Sequence, residues 1–455
     1  MSTVEQFGYR QELQRSLGFA DLMIYGLIFM VPIAPFGIFG HVFAVSHGMV
    51  ALAYVIGLVA MAFTALSYAQ MARAFPMAGS VYTYAGRGIA APVGFIAGWA
   101  ILLDYVLVPS LLYLVAGVAM NSFVPAVPVW LWLVAFVALN TVVNYFGIQM
   151  TARITRIMLV AELAVLAIFL VVGGVALAQG KAQTGALTPF FDSAGFSWSV
   201  VLAAASVAVL SFLGFDGIST LAEENREDAR RLGRSMVAAL GLAAVLFVAQ
   251  TWVAALLTPG RDALIANDDP AGSAFYTTAE FAGGHWLSVL TAVATAVAWG
   301  FANSLVAQAA TSRLLFAMGR DRQLPSFLAK VDPKHKVPVN ATLVVAALSL
   351  IIGVYMSTRP TGIGELSSLV NFGAMAAFLL LHISVVVHYV IRQRSRNWLA
   401  HLVVPVVGIV VLVAVVFNQS VYAQWAGGIW LAVGLVVLGI SYARGRRPVL
   451  PSEVK

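Results

Sequence analysis

SFLGFDGIST, residues 211–220, closes an apolar run that begins near Ser199 and otherwise reads as a membrane-crossing helix. Gly214 and Gly217 flank Asp216 inside it. Glycine weakens a helix interior by about 1 kcal/mol relative to alanine, and a carboxylate at that depth costs about 2.5–3.5 kcal/mol or more. A span that breaks where it also carries a charge frees backbone groups beside that charge. In hydrocarbon all of them need partners, and a ligand or ion can serve as one.

The rest of the chain supports a membrane reading. Of its 455 residues 61% are hydrophobic and 10% charged, with a mean hydropathy of +0.91. A soluble chain carries roughly 25% charge. Apolar runs of about 20 residues, each able to cross roughly 30 Å of hydrocarbon, recur from end to end. The chain is an all-α polytopic membrane protein. The absence of cysteine excludes disulfides, thiolate chemistry and cysteine-held metals. The polar N-terminal stretch MSTVEQFGYRQELQRSLGF has neither the apolar core nor the cleavage site of a signal peptide.

Twelve spans are expected, near 19–43, 48–73, 89–120, 127–148, 154–178, 199–222, 235–257, 284–317, 337–356, 365–391, 399–417 and 424–442. With the N-terminus inside, all 26 lysines and arginines except Lys181, Arg261 and Arg359 fall on the inner side. That asymmetry is the positive-inside pattern, and a miscount by one span would destroy it. Both termini are therefore expected in the cytoplasm of a cell whose inner membrane holds the protein. The loop over 257–284 sets Asp262, Asp268, Asp269 and Glu280 against Arg261. It reads as a solvated loop, or as a vestibule that attracts cations.

The first span is interrupted as well. FMVPIAPFGIFG, residues 29–40, holds Pro32, Pro35, Gly37 and Gly40 at mid-membrane. A proline in a helix interior costs about 3 kcal/mol and removes a hydrogen bond. Spans one and six open successive sets of five, and paired breaks at corresponding places mark an inverted-repeat transporter with its site between them. The divisions are a cytoplasmic tail over 1–18, a first repeat over 19–178, a second over 199–391, two further spans over 399–442 and a tail over 443–455.

Three stretches carry a family resemblance across nearly the whole chain. FTALSYAQMARAFPMAGSVYTYAGRGI (63–89), GFDGISTLAEENRE (214–227) and SRLLFAMGRDRQLP (312–325) resemble the second, sixth and eighth spans of amino acid–polyamine–organocation (APC) superfamily transporters. VGFIAGWAILLDYVLVPS (93–110) and SFLGFDGISTLAEE (211–224) look most like bacterial putrescine importers. The resemblance implies a LeuT-type fold, five-plus-five inverted repeats and two trailing spans, working by alternating access with proton coupling and no cofactor. The family's proline after its Glu pair is missing from EENREDARRLGRSM (223–236).

Intramembrane ionisable groups are the candidate functional residues. Asp104, beside Tyr105 and ahead of Pro109, suits a substrate ammonium that has lost its water; a structural hydrogen bond is the alternative. Asp216 serves the site directly or holds the broken helix. Glu162 is a candidate proton site, with an ion pair to Arg153 or Arg156 as the alternative. Glu223 is a second proton-coupling candidate. It and Glu224 abut Arg226, Arg230, Arg231 and Arg234, and also read as gate or loop ion pairs. Ala34, Phe36, Gly37, Phe212, Phe215 and Trp299 complete the expected substrate site, the aromatic members equally explicable as packing. Thr311 and Ser312 keep sodium coupling open, while His382 and His388 read as packing.

The first break also separates substrates. Amino acid carriers of the superfamily commonly hold a carboxylate on backbone amides of a glycine-rich turn. Here PIAPFG (32–37) puts two prolines, which have no N–H, in that turn, although Phe36, Gly37 and Ile38 still supply amides. A small amine, putrescine or a related polyamine, fits better than a cationic or neutral amino acid. No nucleotide loop, metal cluster or nucleophile–base pair points to an enzyme, and no filter-like motif points to a channel.

Overall fold

The computed structural model describes residues 5–269, 272–359, 361–419, 421–443 and 450. Residues 1–4 of the expected N-terminal tail lie outside the described residues. So does the C-terminal tail apart from Ala443 and Leu450, including Arg444, Arg446, Arg447 and Lys455.

Backbone groups in lipid must be satisfied within the chain, and helices do this locally. Helices α1 (Phe19–Met30) and α2 (Ala34–Val45) make one span bent by 43°. Then come α3 (Val50–Ala74), the short α4 (Ser80–Gly88), α5 (Ala91–Phe123), α6 (Val129–Tyr145) and α7 (Ile148–Ala178). Helix α8 (Trp198–Ala208), capped by Ser197 Oγ on the Val200 amide, passes into tighter 3₁₀ turns over Val209–Phe212 and Phe215–Glu224. Helix α9 (Ala229–Leu257) follows, with two short helices, α10 (Arg261–Asn267) and α11 (Ala274–Gly283), after it. Helices α12 (His285–Val297) and α13 (Ser304–Arg320) are joined through a wider π-helical turn over Ala298–Asn303. The chain ends in α14 (Val339–Ser357), α15 (Gly362–Val385), α16 (Val404–Phe417) and α17 (Val421–Ala443). Among the described residues, 10 helices are long and apolar enough to cross a membrane; the α1–α2 pair brings this to 11, and the shorter apolar α6 lies at the remaining expected position.

Two groups of helices pack around a shared interior. In one, α1, α3, α8, α9 and the 3₁₀ segment lie together; in the other, α5, α6, α13, α14 and α15 do. Helix α17 leans on α5 and α15 and leaves Trp425, Ile429, Val433 and Val436 uncovered, as a lipid-facing helix does. A buried amide network fastens α6 to α13: Asn144 Nδ2 donates to the Leu305 carbonyl and Gln308 Oε1, and Gln308 Nε2 donates to Thr141 Oγ1.

The loop over 257–284 differs from the expected solvated segment. Helix α11 carries Phe275 fully into the bundle, stacked on Phe36 at 3.9 Å between ring centres. Asp269 caps α11 through the Ser273 and Ala274 amides and lies against Gly40, where a Cβ would come within 2.1 Å of its Oδ2. The acidic residues do not share Arg261, which pairs with Asp192; Asp268 faces His41 at 2.9 Å. The acidic, turn-rich composition of 257–284 reads as a solvated loop, but a few apolar side chains are enough to seat α11 against the bundle.

Candidate functional site

The first break begins at Val31, whose φ of +56° is a conformation β-branched residues avoid. Pro32 and Pro35 prevent a continuous helix, and Pro35 instead sits in the first turn of α2, where its missing N–H leaves no gap. The freed groups find partners. Gln250 Nε2 of α9 donates to the Pro32 carbonyl at 2.9 Å. The Ala34 and Phe36 amides donate to the Val31 and Ile33 carbonyls at 2.8 and 2.9 Å.

The second break faces the first. Gly214 has φ +121°, and a Cβ there would meet the Phe29 backbone at 2.8 Å; Gly217 approaches the Phe29 ring as closely. Only glycine allows both that φ and that approach. Asp216 then sits fully inside the bundle, its Oδ1 accepting the Gly214 amide and its Oδ2 accepting the Tyr105 hydroxyl at 2.7 Å. Thr311 Oγ1 donates to the Tyr105 carbonyl at 2.6 Å, which locks α5 to α13 at this level.

Between the breaks lies a small cavity of about 50 Å³. Phe29, Met30, Val31, Ala34 and Ile38 line it from the first break, and Ser211, Leu213, Gly214 and Asp216 from the second. Asp104, Tyr105, Val108, Leu111 and Leu112 line it from α5, and Trp299 and Asn303 from the π turn. Asp104 is buried, and no hydrogen bond reaches its carboxylate among the described residues. None of the lining residues is basic. Two carboxylates thus share one apolar chamber without a fixed counter-charge.

Of the nine expected substrate-site residues, Ala34, Asp104, Tyr105, Asp216 and Trp299 line this cavity. The other four lie behind it. Phe36 stacks on Phe275 of α11, and Gly37 backs Trp299, a Cβ there falling 3.1 Å from the indole. Phe212 packs with Tyr54 and Phe247, and Phe215 with Tyr68 and Phe378. Phe29, Ser211 and Asn303 are cavity residues that the sequence reading passed over. Asn303 had a signal, a polar residue four positions after Trp299 in an apolar run; Phe29 had none among so many aromatics.

Glu162 lies away from the cavity lining. It is buried, and neither carboxylate oxygen has a hydrogen-bond partner among the described residues. The alternative ion pair with Arg153 or Arg156 is absent among the described residues, and Arg156 pairs with Asp21 instead. Glu223 and Glu224 do form ion pairs, but with partners far along the chain. Arg320 holds Glu223 at 2.9 and 3.0 Å, and Arg313 holds Glu224 through two nitrogens. The neighbouring arginines are not used; Arg231 pairs with Glu227. The short-range reading failed because a 3₁₀ segment turns both glutamates towards α13.

Comparison with known proteins agrees with this architecture. The family model for amino acid permeases matches residues 20–440. The low-affinity putrescine importer PlaP of Escherichia coli (strain K12) is 31% identical over 97% of this chain and 96% of its own length. The branched-chain amino acid permease BcaP of Bacillus subtilis (strain 168) is 27% identical over 94% of the chain and 93% of its own. The methylthioribose transporter of the same organism is 25% identical over 96% and 95%. With such reach over a helical bundle of this kind, the chain is a membrane transporter, not an enzyme, and belongs to the amino acid permease family.

Proposed function

We propose that the protein imports a small cationic amine, putrescine or a related polyamine, together with protons, by alternating access. One observation carries the reading: Asp104 and Asp216 share a buried cavity whose lining holds no basic residue. Carboxylates without a counter-charge in a low-dielectric chamber strongly favour a cation, and an ammonium supplies one with donors to match. Phe29, Tyr105 and Trp299 add aromatic faces to which an ammonium is also drawn. The likeness to PlaP supports the same substrate class.

The second reading, an amino acid permease, is favoured by the likeness to BcaP. It requires backbone amides at the first break to take a carboxylate. Against it, the Ala34 and Phe36 amides are already engaged and the prolines have none.

Glu162 is the proposed proton carrier. Its two carboxylate oxygens have no partner among the described residues, so no fixed hydrogen bond or counter-charge opposes its taking up and giving up a proton. Glu223, bound to Arg320, is proposed to couple the gate to that cycle. The two breaks support a five-plus-five repeat, 19–178 and 199–391. The basic residues crowded at one end support cytoplasmic termini in the inner membrane of a bacterial cell.

The test is uptake of labelled putrescine into proteoliposomes under an inward proton gradient, with lysine, alanine, spermidine and cadaverine as competitors. Accumulation should need the gradient, resist alanine and fall at least tenfold in Asp104→Asn. In Glu162→Gln, uptake should lose its dependence on pH while exchange across equal pH persists. Alanine or lysine accumulating in place of putrescine would sink the amine reading.

A further inference from the structure

The cavity has two unlike ends. On α5 its wall runs from Asp104 through Val108 to Leu111 and Leu112, one stripe of the helix at i, i+4, i+7 and i+8. Thr311, bonded to the Tyr105 carbonyl, marks the acidic level on α13. Asn303 lies eight residues earlier in the chain, about 12 Å of helix away. A carboxylate, an apolar wall and a carboxamide therefore follow one another along the chamber.

Asn303 is 6% exposed, lines the cavity, and its Oδ1 has no hydrogen-bond partner among the described residues. The turn that carries it is held from the opposite side. Asn140 Nδ2 shares its two N–H groups among Tyr113 Oη, the Gly300 carbonyl and Ser304 Oγ, and Ser304 Oγ donates to the Gly300 carbonyl. The π turn is thus pinned from behind, and it presents Trp299 and Asn303 together to the cavity. π turns of this kind recur at functional sites because they rotate side chains that a regular helix would hide.

We propose that Asn303 is a specificity-determining residue that accepts a hydrogen bond from the second nitrogen of a diamine whose first ammonium lies at Asp104 and Asp216. This inference rests on the amine reading above. A carbonyl oxygen buried without a donor is costly, and a substrate ending in methyl leaves it so. An ammonium there answers the carbonyl and lies beside the Trp299 ring. It does not answer the indole N–H of Trp299, which also lacks a partner among the described residues. The site is consequently built to reject monoamines of the same length, as pockets with a committed polar group do.

The experiment measures displacement of labelled putrescine from the purified transporter by unlabelled putrescine and by pentylamine, in which a methyl replaces one ammonium. The wild type should prefer the diamine at least tenfold. Asn303→Leu should bring the ratio close to one, weakening the diamine and improving the monoamine, and Asn303→Asp should widen it. Equal weakening of both amines in Asn303→Leu, or an unchanged ratio in both variants, overturns the inference while leaving the amine reading in place. If Asn303→Leu loses its thermal transition, Asn303→Asp decides: a wider ratio upholds the role and an unchanged one removes it. If the wild type binds alanine or lysine but neither amine, the amine reading falls and the role of Asn303 falls with it.

Discussion

At the end of the bundle that carries the N-terminus, closure is ionic and backbone-mediated; at the far end it is aromatic. Glu223–Arg320 and Glu224–Arg313 are nearly dry, and the Ala78 amide adds a third donor to Glu223. The N-terminal segment lies across them: Leu17 pairs with Asn225, the Ser16 and Leu17 amides donate to the Glu224 carbonyl, and Tyr9 lies 4.0 Å from the Arg320 guanidinium. At the far end Phe36, Phe169 and Phe275 form one cluster, with ring centres 3.9 to 5.7 Å apart. The charge pairs there are more open to water, His41 and Asp268 being about half exposed. Ring contacts can separate and re-form with no charge stranded in between. Buried two-point ion pairs cannot, because each partner left alone in a dry site is strongly unfavourable. Under the proposed alternating access, the far end is the softer gate, and the N-terminal end opens only when several fixed pairs part together.

Breaking an ion pair should have the largest effect. Arg313→Met leaves Glu224 buried and alone, and should destabilise the protein by about 3–5 kcal/mol. Thermal unfolding in detergent reads this directly. Adding Glu224→Leu should restore most of the loss, since an apolar pair of similar volume is tolerated. A double variant as damaged as the single would mean that the charge pair is not what holds this end.

The aromatic gate should give a smaller and different response. Phe275→Leu keeps an apolar side chain but loses the ring contacts, about 1 kcal/mol or slightly more. Overall stability should barely change, while opening at the far end becomes several-fold more frequent. Because the chain contains no cysteine, an Ile38→Cys reporter in the cavity wall can be labelled by a membrane-impermeant thiol reagent. Faster labelling from the far side is expected, and an unchanged rate would remove the aromatic gate from the comparison.

The weakest effect belongs to the far-end charges. Asp192→Asn removes the partner of Arg261 and should accelerate the same labelling by less than about fivefold, corresponding to 0.2–1 kcal/mol for such a pair. High salt should bring wild type and variant together. The hydrogen bond from Arg261 holds the Asp192 carboxyl below its ordinary range. Because the folded-state value is depressed, this stabilisation is complete above the ordinary carboxylate pKa. It is lost only as the pH falls through the lowered value. The Asp192 contribution should therefore be flat from neutral pH down to about pH 5.

Much of the site was legible because helix breakers and intramembrane charges are local signals. Pro32, Pro35 and Gly214 mark the breaks, and Asp104 and Asp216 stand out in apolar runs whatever surrounds them. Sequence places Phe36 and Phe212 at the cavity because an aromatic near a break looks the same whether it faces the chamber or the packing behind it. Asn303 was passed over for a related reason. An asparagine in a span is common glue between helices, as Asn140 and Asn144 are here; Asn140 Oδ1 lacks a partner too, and what sets Asn303 apart is that its unpartnered Oδ1 belongs to a residue of the cavity wall.

The sequence alone determined that the protein spans a membrane many times, where two spans break and which carboxylates lie deep. Each of these follows from hydropathy and backbone sterics within a turn or two of chain. The tertiary structure decided who meets whom. It joined Glu224 to Arg313 across 89 positions and Tyr105 to Asp216 across 111. It left Glu162 without a partner among the described residues and seated α11 of an acidic loop in the bundle. Those outcomes depend on how helices dock and rotate against one another, and that is set by packing over the whole bundle, which no local periodicity encodes.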